Sequence, residues 1–485
     1  MRLLAVCFLL FAAPAAAQAQ TPAPPAPATP RGSMTSPADL PAPPRAEARP
    51  YSFERHGIRV EDPYHWLRDS SYPTVDDEDI LSYLRAENAY FEAAMAPHRP
   101  LVETLFNEMR GRIQEDDSSV PVRDGQYLYW WAFTPGAQYR TWYRRPVSNG
   151  GAQQTILDEA AEAQGHQYYR MGAMEISPDG RHAAIMVDDD GAERFQLRIR
   201  DLSTGRDVET VTEVGIGRPV WTADSAGVVF TEVNENWRSY RARLHRIGRP
   251  ASEDRTLYEE TENIAFTVDV GRTQDRRFIL ISTGENSSNE IRFVPADDPD
   301  AAPVLIARRR PNIQYSVDSA HDRFWILTND DHVNFRLAEA RHDQPGQWRT
   351  VIAGSDQVYL RGVTSFRDHL VINERVNGLD QIRLRSYGGG ERRVPFTEAS
   401  YTAGLGPNPE YAPDAYRLAY SSMVTPPTTY DYHPRDNRLE TLKVQRIPSG
   451  YDPSRYATER IMVPSRDGRQ IPVSIVYRRD FRRNG

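Results

Sequence analysis

The sequence has 485 residues, 39% hydrophobic, 26% charged and 10% aromatic, with one cysteine and a net charge of −8 from 59 basic and 67 acidic residues. At ~150 residues per domain this length suggests about three domains and a core large enough to exclude disorder for the bulk of the chain. A single cysteine excludes a disulfide scaffold, no apolar run reaches the roughly 18 residues of a membrane span, and net acidity argues against a general nucleic-acid binder. Lys443 is the only lysine, and the arginines are spread through the chain as compositional bias spreads them, not gathered into a phosphate-binding patch.

Met1-Arg2, the apolar stretch 3–13 and Ala17-Gln18-Ala19 have the anatomy of a secretory signal peptide. Cys7 lies inside the apolar stretch, so cleavage after Ala19 leaves no cysteine and a net charge of −9. Residues 20–49 are rich in Pro and Ala with almost no large apolar side chains, which predicts a flexible tether. The next segment, 50–115, reads as a helical arm. Thr74 and Asp77 resemble a capping box ahead of Ile80, Leu84, Phe91 and Met95, which fall near one helix face. After Pro100 a second helical pattern runs through Leu101, Val102, Leu105, Phe106, Met109 and Ile113.

Beyond residue 115 the pattern becomes short strands punctuated by turns, and it repeats. Turn aspartates stand at Asp124, Asp179, Asp224, Asp275, Asp322, Asp368 and Asp414, with separations of 55, 45, 51, 47, 46 and 46 and a mean of about 48. Each precedes an apolar strand: 127–133, 183–187, 228–233, 278–282, 324–327, 370–372 and 418–420. A second strand is centred near Tyr139, Phe195, Tyr240, Ile291, Phe335, Ile382 and Tyr430. A period of this size with several strands per unit is the signature of propeller blades, because one blade cannot bury both faces of its sheet alone. The expectation is a mainly β chain with a seven-bladed β-propeller over 116–445. A pair of β-sandwiches is the competing architecture. Residues 446–485 break the repeat: 459–464, the Asp467-Gly468 turn and 470–477 read as one hairpin.

Chemistry is sparse. Neither Gly-x-Ser-x-Gly nor His-Glu-x-x-His occurs, and no Gly-rich phosphate loop opens a helix. Asp188-Asp189-Asp190-Gly191 lacks the alternating ligands and distal glutamate of a calcium loop and reads as a polar turn. His321-Asp322 reads as a blade turn, and Asn286-Ser287-Ser288 is formally a glycosylation acceptor. No catalytic, cofactor-binding or metal-ligating residue is assigned, and no cofactor is expected.

Five segments carry a resemblance: Val60-Glu-Asp-Pro-Tyr-His-Trp-Leu-Arg-Asp69, Tyr83-Leu-Arg-Ala-Glu-Asn88, Tyr169-Arg-Met-Gly-Ala-Met-Glu-Ile-Ser-Pro-Asp-Gly180, Tyr420-Ser-Ser-Met-Val-Thr-Pro-Pro-Thr428, and Gly450-Tyr-Asp-Pro-Ser-Arg-Tyr456 leading through Arg466-Asp-Gly468 to Pro472-Val-Ser-Ile-Val-Tyr477. With the order of parts, they make residues 50–485 similar to the prolyl oligopeptidase family of serine peptidases (family S9), most of all its oligopeptidase B branch. The resemblance implies an arm that packs on an α/β-hydrolase domain, a propeller that caps the active site, and cleavage of short peptides after Arg or Lys. The catalytic Ser, Asp and His of such enzymes lie beyond the propeller, so none is carried over, and residues 446–485 are expected to be the first hairpin of a truncated α/β-hydrolase domain. The expected protein is the N-terminal part of a secreted, periplasmic peptidase, inactive alone, with short peptides as substrates and no stable membrane span. The alternative is a stand-alone periplasmic propeller that binds partners without catalysis.

Overall fold

The computed structural model describes residues 42–72, 74–148, 151–482 and 484. The expected signal peptide, with Cys7, and most of the expected tether lie outside these residues. The chain divides into two units between Ile113 and Gln114.

The smaller unit opens with an antiparallel hairpin, Ser52–Arg55 with Ile58–Glu61, and not with a helix. Helices α1 (Glu78–Met95) and α2 (Arg99–Arg110) follow. The reading of 50–115 as mostly helical is corrected to that extent. Helix α1 is capped by Asp77, whose carboxylate accepts from the N–H groups of Asp79 (2.9 Å) and Ile80 (3.4 Å). Thr74, the expected cap, is not used. The Trp66-Leu67-Arg68-Asp69 block shapes the approach to α1. Trp66 Nε1 donates to Glu47 O at 2.8 Å under the guanidinium of Arg49. Asp69 accepts from the hydroxyl and N–H of Ser71 and the N–H groups of Asp76 and Asp77, at 2.7–2.9 Å. These donors, the Ser71 hydroxyl foremost, hold its carboxyl far below the usual range.

The larger unit is built of antiparallel sheets. Sheet 1 (122–158), sheet 3 (267–307), sheet 4 (315–352), sheet 5 (358–393) and sheet 6 (401–444) each have four strands in sequence order, whereas sheet 2 (170–259) has seven. The expected seven-bladed propeller is therefore corrected. Among the described residues there are five discrete four-stranded blades, and the units of Asp179 and Asp224 are fused in one continuous sheet. The cause is the 16-residue strand Arg206–Trp221. Its first part pairs with Phe195–Asp201 and its last part with Gly227–Val233. Gly217, at φ +78°, sits where the register shifts, a conformation that glycine adopts without a Cβ clash.

Each sheet buries its faces against its neighbours. One apolar cluster joins sheets 1 and 2 through Leu157, Tyr169 and Ile185. Others join sheets 2 and 3 (Val229, Val268, Ile279), 3 and 4 (Phe293, Phe324), 4 and 5 (Leu337, Ile372), and 5 and 6 (Ile382, Leu418). Each fully buried aliphatic side chain contributes ~1.5–3 kcal/mol relative to exposure. Six of the turn aspartates stand at or beside the connection between the first and second strands of a sheet, and the turn of Asp224, between the fourth and fifth strands of sheet 2, meets that of Asp179 through Asp179 N–H and Ser225 Oγ (3.1 Å), so the seven share one face of the ring, here the turn face. Three of the turns are the same device: Asp179, Asp224 and Asp275 each accept from a hydroxyl two residues earlier and an N–H two residues later.

Sheet 6 meets sheet 1 without exchanging a strand. Arg417 donates to Pro121 O at 2.7 Å while its fork grips Asp431, and Lys443 contacts both Asp117 and Ser118 O. The chain leaves sheet 6 on the face opposite the turn face, the exit face. Strands Tyr456–Pro464 and Gln470–Arg478 pair there with each other alone. Among the described residues no further strand or helix joins them, so the fold offers nothing that identifies the expected start of an α/β-hydrolase domain.

Lys443→Met leaves Asp117 without its cation at this junction. The expected loss is about 1.5–3 kcal/mol, read as a lower urea midpoint. Adding Asp117→Asn should recover part of it; an unchanged midpoint in Lys443→Met would show that the junction does not depend on the pair.

Candidate functional site

The first strand of each sheet faces the ring axis, and the polar groups at the turn-face ends of these strands converge. Asp318, on Tyr315–Ala320 of sheet 4, accepts from Gln274 N–H of sheet 3 (2.7 Å), Ser365 N–H of sheet 5 (2.7 Å) and Ser319 N–H (2.8 Å). Burial pushes its carboxyl up to about 7, against the pull of these donors and with a further push from Asp275. Beside it Arg276 donates to Asp124 Oδ1 of sheet 1 at 2.6 Å. Arg272, on the first strand of sheet 3, is lowered by burial and then by the like charge of Arg276. Charged groups of both signs thus line this end of the channel.

Ser319, His342 and Asp275 come together at the same end. Ser319 Oγ lies 2.7 Å from Asp275 Oδ2 and 3.1 Å from His342 Nε2. This is not the order of a hydrolytic triad, in which the acid orients the histidine and the histidine takes the serine proton. Here the serine hydroxyl is fully buried and contacts the acid directly, and burial lowers the basicity of His342. The trio ties sheet 3 to sheet 4.

On the exit face, sheet 3 carries a cleft of about 640 Å³ lined by Glu262, Phe266, Glu285, Ser288, Arg309 and Asn312, among others. Arg309 donates to buried Glu260 (2.7 Å) and exposed Glu262 (3.1 Å) and stands over the Phe266 ring at 4.4 Å. Burial works against the Glu260 carboxylate, but Arg309 and the Tyr258 hydroxyl outweigh it and hold the group below its usual range. The cleft offers fixed donors and acceptors side by side, which suits a polar backbone segment.

The motifs weighed in the sequence sit elsewhere. Asp188 accepts from the N–H groups of Asp190, Gly191 and Glu193, which makes 188–193 a closed turn. His321 is at φ +57° in the first turn of sheet 4, with Nε2 2.9 Å from Arg367 O. Asn286 lies in the turn between the second and third strands of sheet 3. Among the described residues no group of three or more His, Cys, Asp or Glu is placed to hold a metal ion. Asp275 was singled out only as a turn aspartate, and Asp318, Ser319 and His342 were not singled out in the sequence. Their one signal is a run of polar residues, Asp318-Ser319, ending an inner strand just before the turn.

A family model described as prolyl oligopeptidase, N-terminal beta-propeller domain, matches residues 43–445. Among curated proteins, dipeptidyl aminopeptidase BI of Pseudoxanthomonas mexicana is 36% identical over 467 residues, 91% of this chain and 63% of its own length. Protease 2 of Moraxella lacunata is 27% identical over 441 residues, 90% of this chain and 63% of its own length. Among solved structures, oligopeptidase B from Leishmania major superposes with a TM-score of 0.82 at 26% identity, covering 90% of this chain and 65% of that one. Oligopeptidase B from Trypanosoma brucei shares the fold with a TM-score of 0.83 at 24% identity, covering 91% and 66%. The chain spans less than two thirds of the length of each of these relatives.

Asp318 gives a pH test. Its carboxyl binds a proton more tightly folded, near pH 7, than in the ordinary range of 3.8, so the folded state holds more protons between these values. Its contribution to stability is present below pH ~4 and is lost as pH rises through 7. Asp318→Asn, which cannot ionise, is expected to lower the urea midpoint at pH 5 but to lose less stability than wild type between pH 5 and pH 8. Equal losses in the two proteins would contradict the assignment.

Proposed function

Because this chain belongs to the prolyl oligopeptidase family of serine peptidases, matching its N-terminal β-propeller domain over 43–445, we propose that it is the access-controlling part of a secreted oligopeptidase B-like enzyme that cleaves short peptides after Arg or Lys. The family match is the observation that carries the reading. Support for the branch comes from the likeness to Protease 2 and to the oligopeptidase B structures. The nucleophile, its base and the acidic groups that select Arg and Lys lie in an α/β-hydrolase domain outside these residues. The propeller limits access to peptides short and unstructured enough to pass it.

Two apolar surfaces fit a role beside a further domain. On α2, Leu101, Leu105, Phe106 and Met109 are each about half exposed. On the terminal hairpin, Ile461, Met462, Val463, Ile471 and Val476 are exposed. In the working enzyme each surface packs on the hydrolase domain, which removes apolar area that otherwise invites association. Export to the periplasm rests on the sequence of residues 1–19.

The test compares the purified chain with the same chain continued, after Tyr477, by the hydrolase portion of the Pseudoxanthomonas mexicana relative. Internally quenched peptides of about eight and about thirty residues, with and without Arg or Lys, are the substrates. The chain alone is expected to show no turnover, and the fusion to cleave the short basic peptides only. Turnover that tracks the chain alone would place the chemistry within it. Release of dipeptides from a free N-terminus by the fusion would replace the Arg/Lys endopeptidase reading with the activity in the name of that relative.

A further inference from the structure

We propose that residues 406–411 are a plug fixed across the turn-face mouth of the ring, so that the central channel is blind at that end and peptides reach it only from the exit face.

The segment stands out first by length. Elsewhere in the ring the connections from a first to a second strand are two to five residues long, whereas in sheet 6 strands Tyr401–Leu405 and Tyr416–Ser422 are separated by ten. The extra residues read Gly406-Pro-Asn-Pro-Glu-Tyr-Ala-Pro-Asp-Ala415. Pro407, Pro409 and Pro413 fix φ and lower the entropy lost in holding one shape. The base is locked by Asn408, which donates to Gly406 O (2.9 Å) and Arg417 O (2.8 Å) and accepts from Arg417 N–H (2.7 Å). Arg417 is the residue whose guanidinium also reaches Pro121 O at the junction of sheets 6 and 1.

The tip is bonded to three other sheets. Gly125 N–H of sheet 1 donates to Glu410 Oε1 at 2.6 Å. Arg367 N–H of sheet 5 donates to Tyr411 O at 2.9 Å. From sheet 3, Gln274 Nε2 donates to Asn408 O (2.8 Å) and Glu410 O (3.1 Å), and Arg276 donates to Pro409 O (2.9 Å). Sheets 1 and 5 flank sheet 6, so contact with them keeps the loop at the rim. Sheet 3 does not: sheets 4 and 5 separate it from sheet 6 on one side, and sheets 1 and 2 on the other. A segment that starts in sheet 6 and is bonded to the first turn of sheet 3 crosses the axis. Arg276 completes the bar, because the same guanidinium joins Pro409 O to Asp124 of sheet 1.

The opposite mouth is where the chain leaves the ring. The terminal hairpin borders that face through Arg460, which donates to Asn377 O at 2.6 Å, and through Ser474, whose hydroxyl is 2.6 Å from that of Ser400. A peptide that reaches the buried end near Asp318 therefore comes past the exit face. The plug is independent of which bond the enzyme cleaves, so its test can fail without touching the proposed function.

The test uses the full chain with Cys7→Ser, so that introduced thiols are the only ones. Gln274→Cys with Pro409→Cys should be joined within the monomer by a short bis-maleimide, whereas no joined monomer would show that the segment does not cross the axis. Closure is read with Thr364→Cys, one residue from the turn end of the first strand of sheet 5. A small maleimide should label it in every background. A bulky rigid maleimide should label it at least tenfold faster when Glu410→Ala, Gln274→Ala and Arg276→Ala loosen the plug than when the loop is intact. Equal rates of the bulky reagent in the two backgrounds would overturn the closure. Circular dichroism of the triple variant excludes unfolding as the cause, and replacing 407–414 by Asn-Gly, which cuts the connection from ten residues to four, within the range of the other first-to-second connections, repeats the comparison if the triple variant does not fold.

Discussion

A β-sheet has two faces, and in a ring of sheets each face finds its apolar partner only if the last sheet returns to the first. Everything else in the larger unit depends on that return. Here it is made by charge and hydrogen bonds, with sheets 1 and 6 each complete in its own four strands. Arg417 and Lys443 reach from sheet 6 to the segment that leads into sheet 1. Such contacts are directional and partly exposed, so they supply less free energy than the apolar clusters between the other sheets. The turns on one face reinforce the ring. Arg144 donates to Gly180 O, Asp179 N–H to Ser225, Arg277 to His321 O, and Arg367 N–H to Tyr411 O, each reaching from one repeat unit to the next.

Much of this was legible in the residues because two of the four strands in each unit are strongly marked. Several second strands are heavily buried, as in Ala183 to Val187 and Phe324 to Leu327, so they read as apolar runs after the turn aspartate. The aspartates are marked because a carboxylate that accepts from a nearby hydroxyl and N–H closes a tight turn. The outer strands were not legible: Glu391–Arg393 is wholly exposed, and its backbone pairing carries no side-chain signature. Nor was the fusion of two units in sheet 2. A 45-residue spacing fits a discrete blade as well as a shared strand, and only the change of partner near Gly217 distinguishes them. In the arm, the period-2 hairpin at 52–61 was too short to separate from its helical surroundings.

The site was less legible than the fold for a different reason. Asp318 becomes unusual only when the turns of sheets 3 and 5 converge on it, and the sequence places those turns 44 and 47 residues away. The ten residues between Leu405 and Tyr416 did carry a signal, three prolines around Asn408 and Glu410, but their partners lie in three other sheets. A propeller of this kind acts through its shape and its channel. Under the proposed function its residues admit or refuse a peptide, while the reacting serine belongs to the hydrolase domain of the complete enzyme.

That division of labour is tested most directly with a serine-reactive fluorophosphonate. Incubated with the purified chain, the probe is predicted to leave every serine unmodified, including buried Ser319 beside His342. Stoichiometric labelling of one serine of this chain, abolished by its substitution with alanine, would contradict the account by placing a nucleophile inside the propeller.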